Sequence, residues 1–162
     1  MLNIKIICVG KVKEKSLSSL ISEYTKRLSK YCKLEIIEVE DEKLPNSLNE
    51  NDIKKIKSTE CNKILEKLSK FDKASIFFLD LKGKEYSSEE FSSKISQIAT
   101  YSSSTIIFVI GGSLGLTEEI LSISSTKICF SKMTFPHQLI RLFLLEQIFR
   151  AFKIQNNEKY HH

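Results

Sequence analysis

The sequence predicts a single-domain α/β protein with a largely parallel sheet, on three observations. Runs such as Thr105-Ile106-Ile107-Phe108-Val109-Ile110 are apolar without alternation, as in strands buried on both faces. Segments with apolar residues at helical spacing separate these runs, so strand and helix signals alternate along the chain. At 162 residues the chain suits one domain, residues 1–162, with one sizeable core.

Taken in order, residues 2–9 read as a first strand ended by Gly10. Lys11-Val12-Lys13-Glu14-Lys15 is a basic turn, Ser16 stands where an N-cap belongs, and Leu17, Leu20, Ile21, Tyr24 and Leu28 form one helical face. Leu34 to Val39 is a second strand, and the polar, proline-bearing stretch from Glu40 to Asn46 reads as a mobile loop. Ile53, Ile56, Ile64, Leu65 and Leu68 mark a long charged helix whose charges are expected to face water. Ser75 to Asp80 is a third strand, with Leu81 to Tyr86 as the turn after it. Ser87 or Ser88, followed by Glu89 and Glu90, opens a helix that buries Phe91, Ile95 and Ile98. The fourth strand, Thr105 to Ile110, breaks into Gly111-Gly112-Ser113-Leu114-Gly115. Thr117, Glu118 and Glu119 open a short helix with Ile120, Leu121 and Ile123 as its apolar side, and Lys127 to Phe130 is a short fifth strand. Pro136 suits the first position of the last helix, Leu139 to Phe152. That helix is apolar on more than one face, so it is either central to the domain or covered by another subunit, and a symmetric homodimer is the favoured reading.

Composition narrows the function classes. A net charge of +5 permits an anionic partner such as nucleic acid without requiring one. Cys8, Cys32, Cys61 and Cys129 form no C-x-x-C pair, and the three histidines form no H-E-x-x-H, so neither a disulfide framework nor a zinc site is expected. Met1 to Ile7 lacks a signal-peptide pattern and no apolar run approaches a membrane span, so a reduced, cytoplasmic protein that is neither targeted nor anchored is the expectation.

Open parallel sheets bind ligands outside the carboxyl ends of their strands, which points to two loops. One is Gly111 to Gly115, where the main chain can approach a ligand closely or simply turn tightly. Its spacing is neither G-x-G-x-x-G nor a Walker loop. The other is Ser131-Lys132-Met133-Thr134-Phe135-Pro136-His137-Gln138, a mixed loop at a helix start. There Phe135 can serve as a hydrophobic plug, and His137 can touch a ligand or face solvent. Asp80 lacks the acidic pair that a receiver domain carries at the end of its first strand, since Val9-Gly10-Lys11 stands there.

Val109-Ile-Gly-Gly-Ser-Leu-Gly-Leu116, Phe130-Ser-Lys-Met-Thr-Phe-Pro-His-Gln138, Leu144 to Ile154 and Tyr160-His161 resemble the bacterial large-subunit ribosomal RNA pseudouridine N3-methyltransferases, small members of the SPOUT superfamily. The likeness extends over essentially the whole chain, including Ile7 to Lys11 and Glu35 to Val39. It implies a single parallel-sheet SPOUT domain with a C-terminal trefoil knot, S-adenosylmethionine as cofactor, and a homodimer that methylates ribosomal RNA on assembled ribosomes. By motif, the cofactor would meet Leu79, Gly111, Phe130, Ser131, Lys132, Met133, Thr134 and Phe135. The catalytic set implied is His161 as proton acceptor, Tyr160 stacking on or hydrogen-bonding the target base, and Arg141 holding RNA or pairing across the dimer. Family members end on a basic residue after the Tyr-His pair, whereas this chain ends on His162. Lys11, Lys13 and Lys15 are candidates for phosphate contacts. The competing readings are a noncatalytic RNA-binding or ribosome-associated module with the same fold, favoured by RNA binding without cofactor affinity, and a nucleotide-binding α/β protein.

Overall fold

The structure, a computed structural model, describes residues 1–160. Ten elements alternate along the chain: β1 (Leu2–Val9), α1 (Lys15–Leu28), β2 (Cys32–Val39), α2 (Glu50–Leu68), β3 (Ser75–Glu85), α3 (Ser88–Tyr101), β4 (Thr105–Ile110), α4 (Glu118–Leu121), β5 (Lys127–Cys129) and α5 (His137–Gln155). The five strands form one sheet in the order β2-β1-β4-β3-β5. All four pairings are parallel, as the unbroken apolar runs require.

Side-chain alternation divides the core into two layers. Ile4, Ile6, Cys8, Ile106, Phe108 and Ile110 face α1, α3 and α5, while Ile7, Val9, Ile107 and Val109 face α2 and α4. Both sets are buried because helices cover both faces of the sheet. α5 lies with α1 and α3 and buries Leu144, Leu145, Ile148, Phe149, Ala151 and Phe152 within the chain, so its place in the domain accounts for much of its apolarity. The buried Ser92 hydroxyl of α3 donates to Ala151 O at 2.9 Å and helps fasten the two helices. The four cysteines are free and buried, and burial pushes the Cys8 thiol up to about 12.

Several boundaries differ from the sequence expectation. The first helical bond of α1 runs from Ser18 N–H to Glu14 O, which makes Glu14 the N-cap and puts Ser16 inside the first turn. Leu20 is exposed on that helix. Ser87 caps α3 in a reciprocal box with Glu90, and Asn49 caps α2 in the same way with Asp52, a box that the apolar spacing alone did not reveal. Pro136 is the N-cap of α5 rather than its first residue, because its carbonyl accepts the first α-helical bond, from Ile140 N–H at 3.2 Å. Ile123 lies beyond α4 and is half exposed. The polar stretch after Asp80 is not a plain turn: β3 continues to Glu85, with Ile128 facing both Leu79 and Lys84 across an irregularity in the pairing. Glu60, expected to face water with the other charges of α2, is buried.

Candidate functional site

The carboxyl ends of β3, β4 and β5 open onto a cavity of about 420 Å³, in the size range of small-molecule sites. Leu79, Leu116, Phe135 and Ile140 supply apolar wall, and the main chain of Gly111 to Gly115 supplies polar edge. The glycine loop is closed on itself by Gly115 N–H donating to Gly112 O at 3.0 Å. Below it, α2 holds the far end of the loop, where Thr117 N–H points at Cys61 Sγ at 3.4 Å. On the opposite rim, the segment after β5 is shaped by two short contacts. Cys129 Sγ–H donates to Ser131 O at 2.9 Å, and Ser131 Oγ accepts from Met133 N–H at 3.1 Å. The Phe135 ring then stands edge-on to Phe143 at 5.4 Å.

This arrangement brings together Leu79, Gly111, Phe130, Ser131, Met133, Thr134 and Phe135, seven of the eight residues expected around a cofactor. Lys132 is exposed and is not among the lining residues.

His137, at the head of α5, lines the same cavity. It is half-buried, and burial together with the Arg141 cation holds its imidazole below the ordinary value, with Asp41 acting in the opposite direction. Folding therefore favours the neutral ring. As the pH falls below the unfolded value of 6.5, the unfolded chain takes up this proton before the folded one, and stability drops until the folded value is passed. In His137→Gln, that loss of stability between about pH 7 and about pH 5 is expected to shrink, as read from urea midpoints at the two pH values.

One turn further along α5, Arg141 is 3% exposed. Its Nη1 donates to Glu38 Oε2 at 2.7 Å and its Nη2 to Gly10 O at 3.1 Å, while Nε has no partner among the described residues. Both Nη groups are thus engaged inside the chain. Through these contacts Arg141 ties α5 to the ends of β1 and β2.

Tyr160 is placed elsewhere. Its hydroxyl donates to Glu146 Oε2 at 2.8 Å, and its ring stands edge-on to Phe149 with the Arg150 guanidinium 4.9 Å above it. Burial, then the Glu146 carboxylate, raises the Tyr160 phenol above its ordinary value, so the hydroxyl stays protonated. Glu146 belongs to the wall of a second cavity, about 280 Å³, that shares Ile128 to Ser131 and Phe135 with the first. His161 lies outside the described residues. Glu146 and Arg150 were missed in the sequence because an acidic-basic pair four residues apart looks like ordinary helix-surface pairing. The available signal was its setting, an ion pair inside a run that is apolar apart from Gln147.

Among the described residues there is no group of His, Cys, Asp and Glu able to hold a metal ion, and no helix long and apolar enough to cross a membrane.

A family model described as "Predicted SPOUT methyltransferase" matches residues 2–161. The chain belongs to the SPOUT methyltransferase family. Two curated relatives are both named Ribosomal RNA large subunit methyltransferase H. The protein from Clostridium botulinum strain Langeland is 57% identical over 162 residues, and that from Clostridium perfringens strain 13 is 52% identical over 160, each match covering 99% of both chains. Solved structures of low sequence identity share the fold. A probable methylase family protein from Haemophilus influenzae superposes with a TM-score of 0.55 at 16% identity, over 99% of this chain and 71% of that one. The putative methyltransferase Lpg2936 from Legionella pneumophila, solved with bound cofactor SAM, gives 0.50 at 9% identity, over 93% and 66%.

Proposed function

We propose that this chain uses S-adenosylmethionine to methylate N3 of a pseudouridine in large-subunit ribosomal RNA, on assembled ribosomes and as a homodimer. What carries the reading is the end-to-end similarity, at 52–57% identity, to proteins named ribosomal RNA large subunit methyltransferase H. The cavity beside the glycine loop supports the cofactor, because apolar walls with exposed main-chain edges suit an adenosine better than a purely charged ligand. The SAM-bound Legionella structure supports the same assignment. When bound, the cofactor supplies a methyl group on a positively charged sulfur.

The chain's own residues do the rest. Leu79 and Phe135 would hold the cofactor's apolar surface, while Gly111 and the segment from Phe130 to Thr134 would offer backbone groups to its polar edges, with Lys132 on the exposed side. The C-terminal trefoil knot belongs to the same proposal, supported by membership of the SPOUT methyltransferase family. Methylation at N3 breaks an N–H bond and forms an N–C bond, so the ring proton needs an acceptor. His161 takes it, and Tyr160 orients the base. The wall shared by the two cavities puts the tail residue Tyr160, through Glu146, one segment away from the cofactor cavity. Lys11 and Lys13, exposed in the connection after β1, and Lys15, exposed at the start of α1, serve as phosphate contacts. A ribosomal substrate places the protein in the cytoplasm.

Calorimetric titration with S-adenosylmethionine and its demethylated product, beside a light-scattering mass and methyl transfer to ribosomes lacking this modification, tests the reading. Saturable binding by a dimer with transfer to pseudouridine N3 is expected. RNA binding without cofactor affinity would replace the reading with a noncatalytic module. In His161→Ala, cofactor affinity and mass stay at wild-type values while turnover falls about 100-fold, and unchanged turnover would remove His161 from the chemistry.

A further inference from the structure

Glu60 is a buried carboxylate that the chemistry above does not use. It is 4% exposed, in the middle of α2, and it faces two segments at once. On one side its Oε2 accepts from Glu42 N–H at 3.0 Å. On the other, a Cβ placed on Gly112 would lie 2.6 Å from its Oε1, so the glycine loop rests directly on the carboxylate. Gly112 is tolerated there because it has no side chain to push this oxygen away.

The neighbouring contacts repeat the pattern. Lys63, one turn along α2, donates to Glu40 O at 3.1 Å and to Glu42 Oε1 at 3.0 Å. The acidic stretch 40–42 also reaches the other wall of the cofactor cavity. The Asp41 carboxyl carbon and His137 Nε2 both lie 3.7 Å from the position a Cβ would take on Gly10. The first residues after β2 therefore run between the glycine loop, through Glu60, and the head of α5, beside His137. A segment expected from its composition to be mobile is fastened at the rim of the site. Burial, reinforced by Asp41 and Glu42, pushes the Glu60 carboxyl above its ordinary value, against the opposing Glu42 N–H and Lys63.

We infer that Glu60 is a positioning residue that couples the cofactor loop at Gly112 to the acidic segment 40–42, so that filling the cavity and fastening this segment are one event. The inference rests on the reading of the cavity as the S-adenosylmethionine site. A ligand that holds the glycine loop in place holds the carboxylate beneath it, and the carboxylate in turn holds the Glu42 amide. Coupling of this kind runs both ways, so loosening either segment weakens the other.

Amide hydrogen exchange at Glu42, with and without saturating S-adenosylmethionine, tests it on the full-length protein. In the wild type the cofactor is expected to slow exchange at Glu42 about tenfold. In Glu60→Gln, whose amide oxygen can still accept from Glu42 N–H, most of that response is retained. In Glu60→Ala the response disappears and cofactor affinity falls about tenfold. Gly112→Ala approaches from the other side: its methyl displaces the carboxylate, and exchange at Glu42 quickens even without cofactor. The contacts from Gly112 to Glu42 described above run through Glu60, and this variant keeps the test open should Glu60→Ala fail to fold. Cofactor binding with no change at Glu42 in the wild type overturns the coupling alone, as does an undiminished response in Glu60→Ala. No cofactor binding by the folded wild type overturns the reading of the cavity and this inference with it.

Discussion

Glu38→Ala is expected to destabilise the protein by about 3–5 kcal/mol, more than Arg141→Met at the other end of the same ion pair. The asymmetry follows from burial. The Arg141 side chain is 3% exposed, whereas the Glu38 side chain is 36% exposed. Removing Glu38 leaves a guanidinium in the interior with Gly10 O as its remaining described acceptor and with Nε already unmatched. Removing the arginine leaves a carboxylate that can turn to water, and methionine refills much of the vacated space, so about 1–2 kcal/mol is expected there. Denaturant unfolding of the two variants, with the double variant to close the cycle, measures both costs and their coupling. The pair also has a place in the site, since Arg141 lies one turn from His137 and fixes the head of α5 to the end of β1. A Glu38→Ala protein that unfolds at the wild-type midpoint would mean that α5 is held by packing alone.

The contrast between Glu38–Arg141 and the strands shows what was legible in the sequence. β4 announced itself because both of its faces meet helices, which requires an apolar residue at nearly every position, and its bounds agree with the sequence reading. The start of α3 was legible for a similar reason, as cap and first-turn carboxylates lie within one turn of each other, although only the structure chooses Ser87 over Ser88 and pairs it with Glu90. The loops around the cavity were legible as a place, because strand ends and glycine clusters are local signals, and seven of the eight residues that the family resemblance placed around a cofactor line it. Arg141 and Glu38 are 103 residues apart, and nothing local to either says that they meet. Glu60 is the same case: on the periodicity of α2 it is one charge among many, and its burial is imposed by the glycine loop and the acidic segment closing over it. Long-range approach, rather than local propensity, is what the sequence reading lacked.

Gly83 is where that lack matters most, and Gly83→Ala is expected to abolish most cofactor affinity. The sequence reads Leu81-Lys82-Gly83-Lys84-Glu85-Tyr86 as an ordinary turn, in which alanine would cost little. In the fold, a Cβ on Gly83 would stand 2.7 Å from the backbone N and C of Ile128 and from the backbone C of Lys127. These are main-chain atoms of β5, so no side chain can swing aside to make room. Ile128 is also the residue that faces β3 twice, at Leu79 and at Lys84, so β5 is gripped on both sides of the irregularity and has little freedom to retreat. The added methyl must push β5 away from β3, at a cost of about 2–3 kcal/mol. The displacement falls on the segment that leads into Phe130, Ser131 and Met133, while Leu79 on the facing strand lines the same cavity. A wall drawn back by about 1 Å forfeits up to about half of its dispersion contact with the ligand, so S-adenosylmethionine affinity measured by calorimetry is expected to fall about tenfold. The loss of stability should appear in the same sample as a lower thermal midpoint. A Gly83→Ala protein that binds cofactor as the wild type does would show that β5 can shift without carrying the cavity wall with it. It would also separate the close approach of the two strands from the site that they frame.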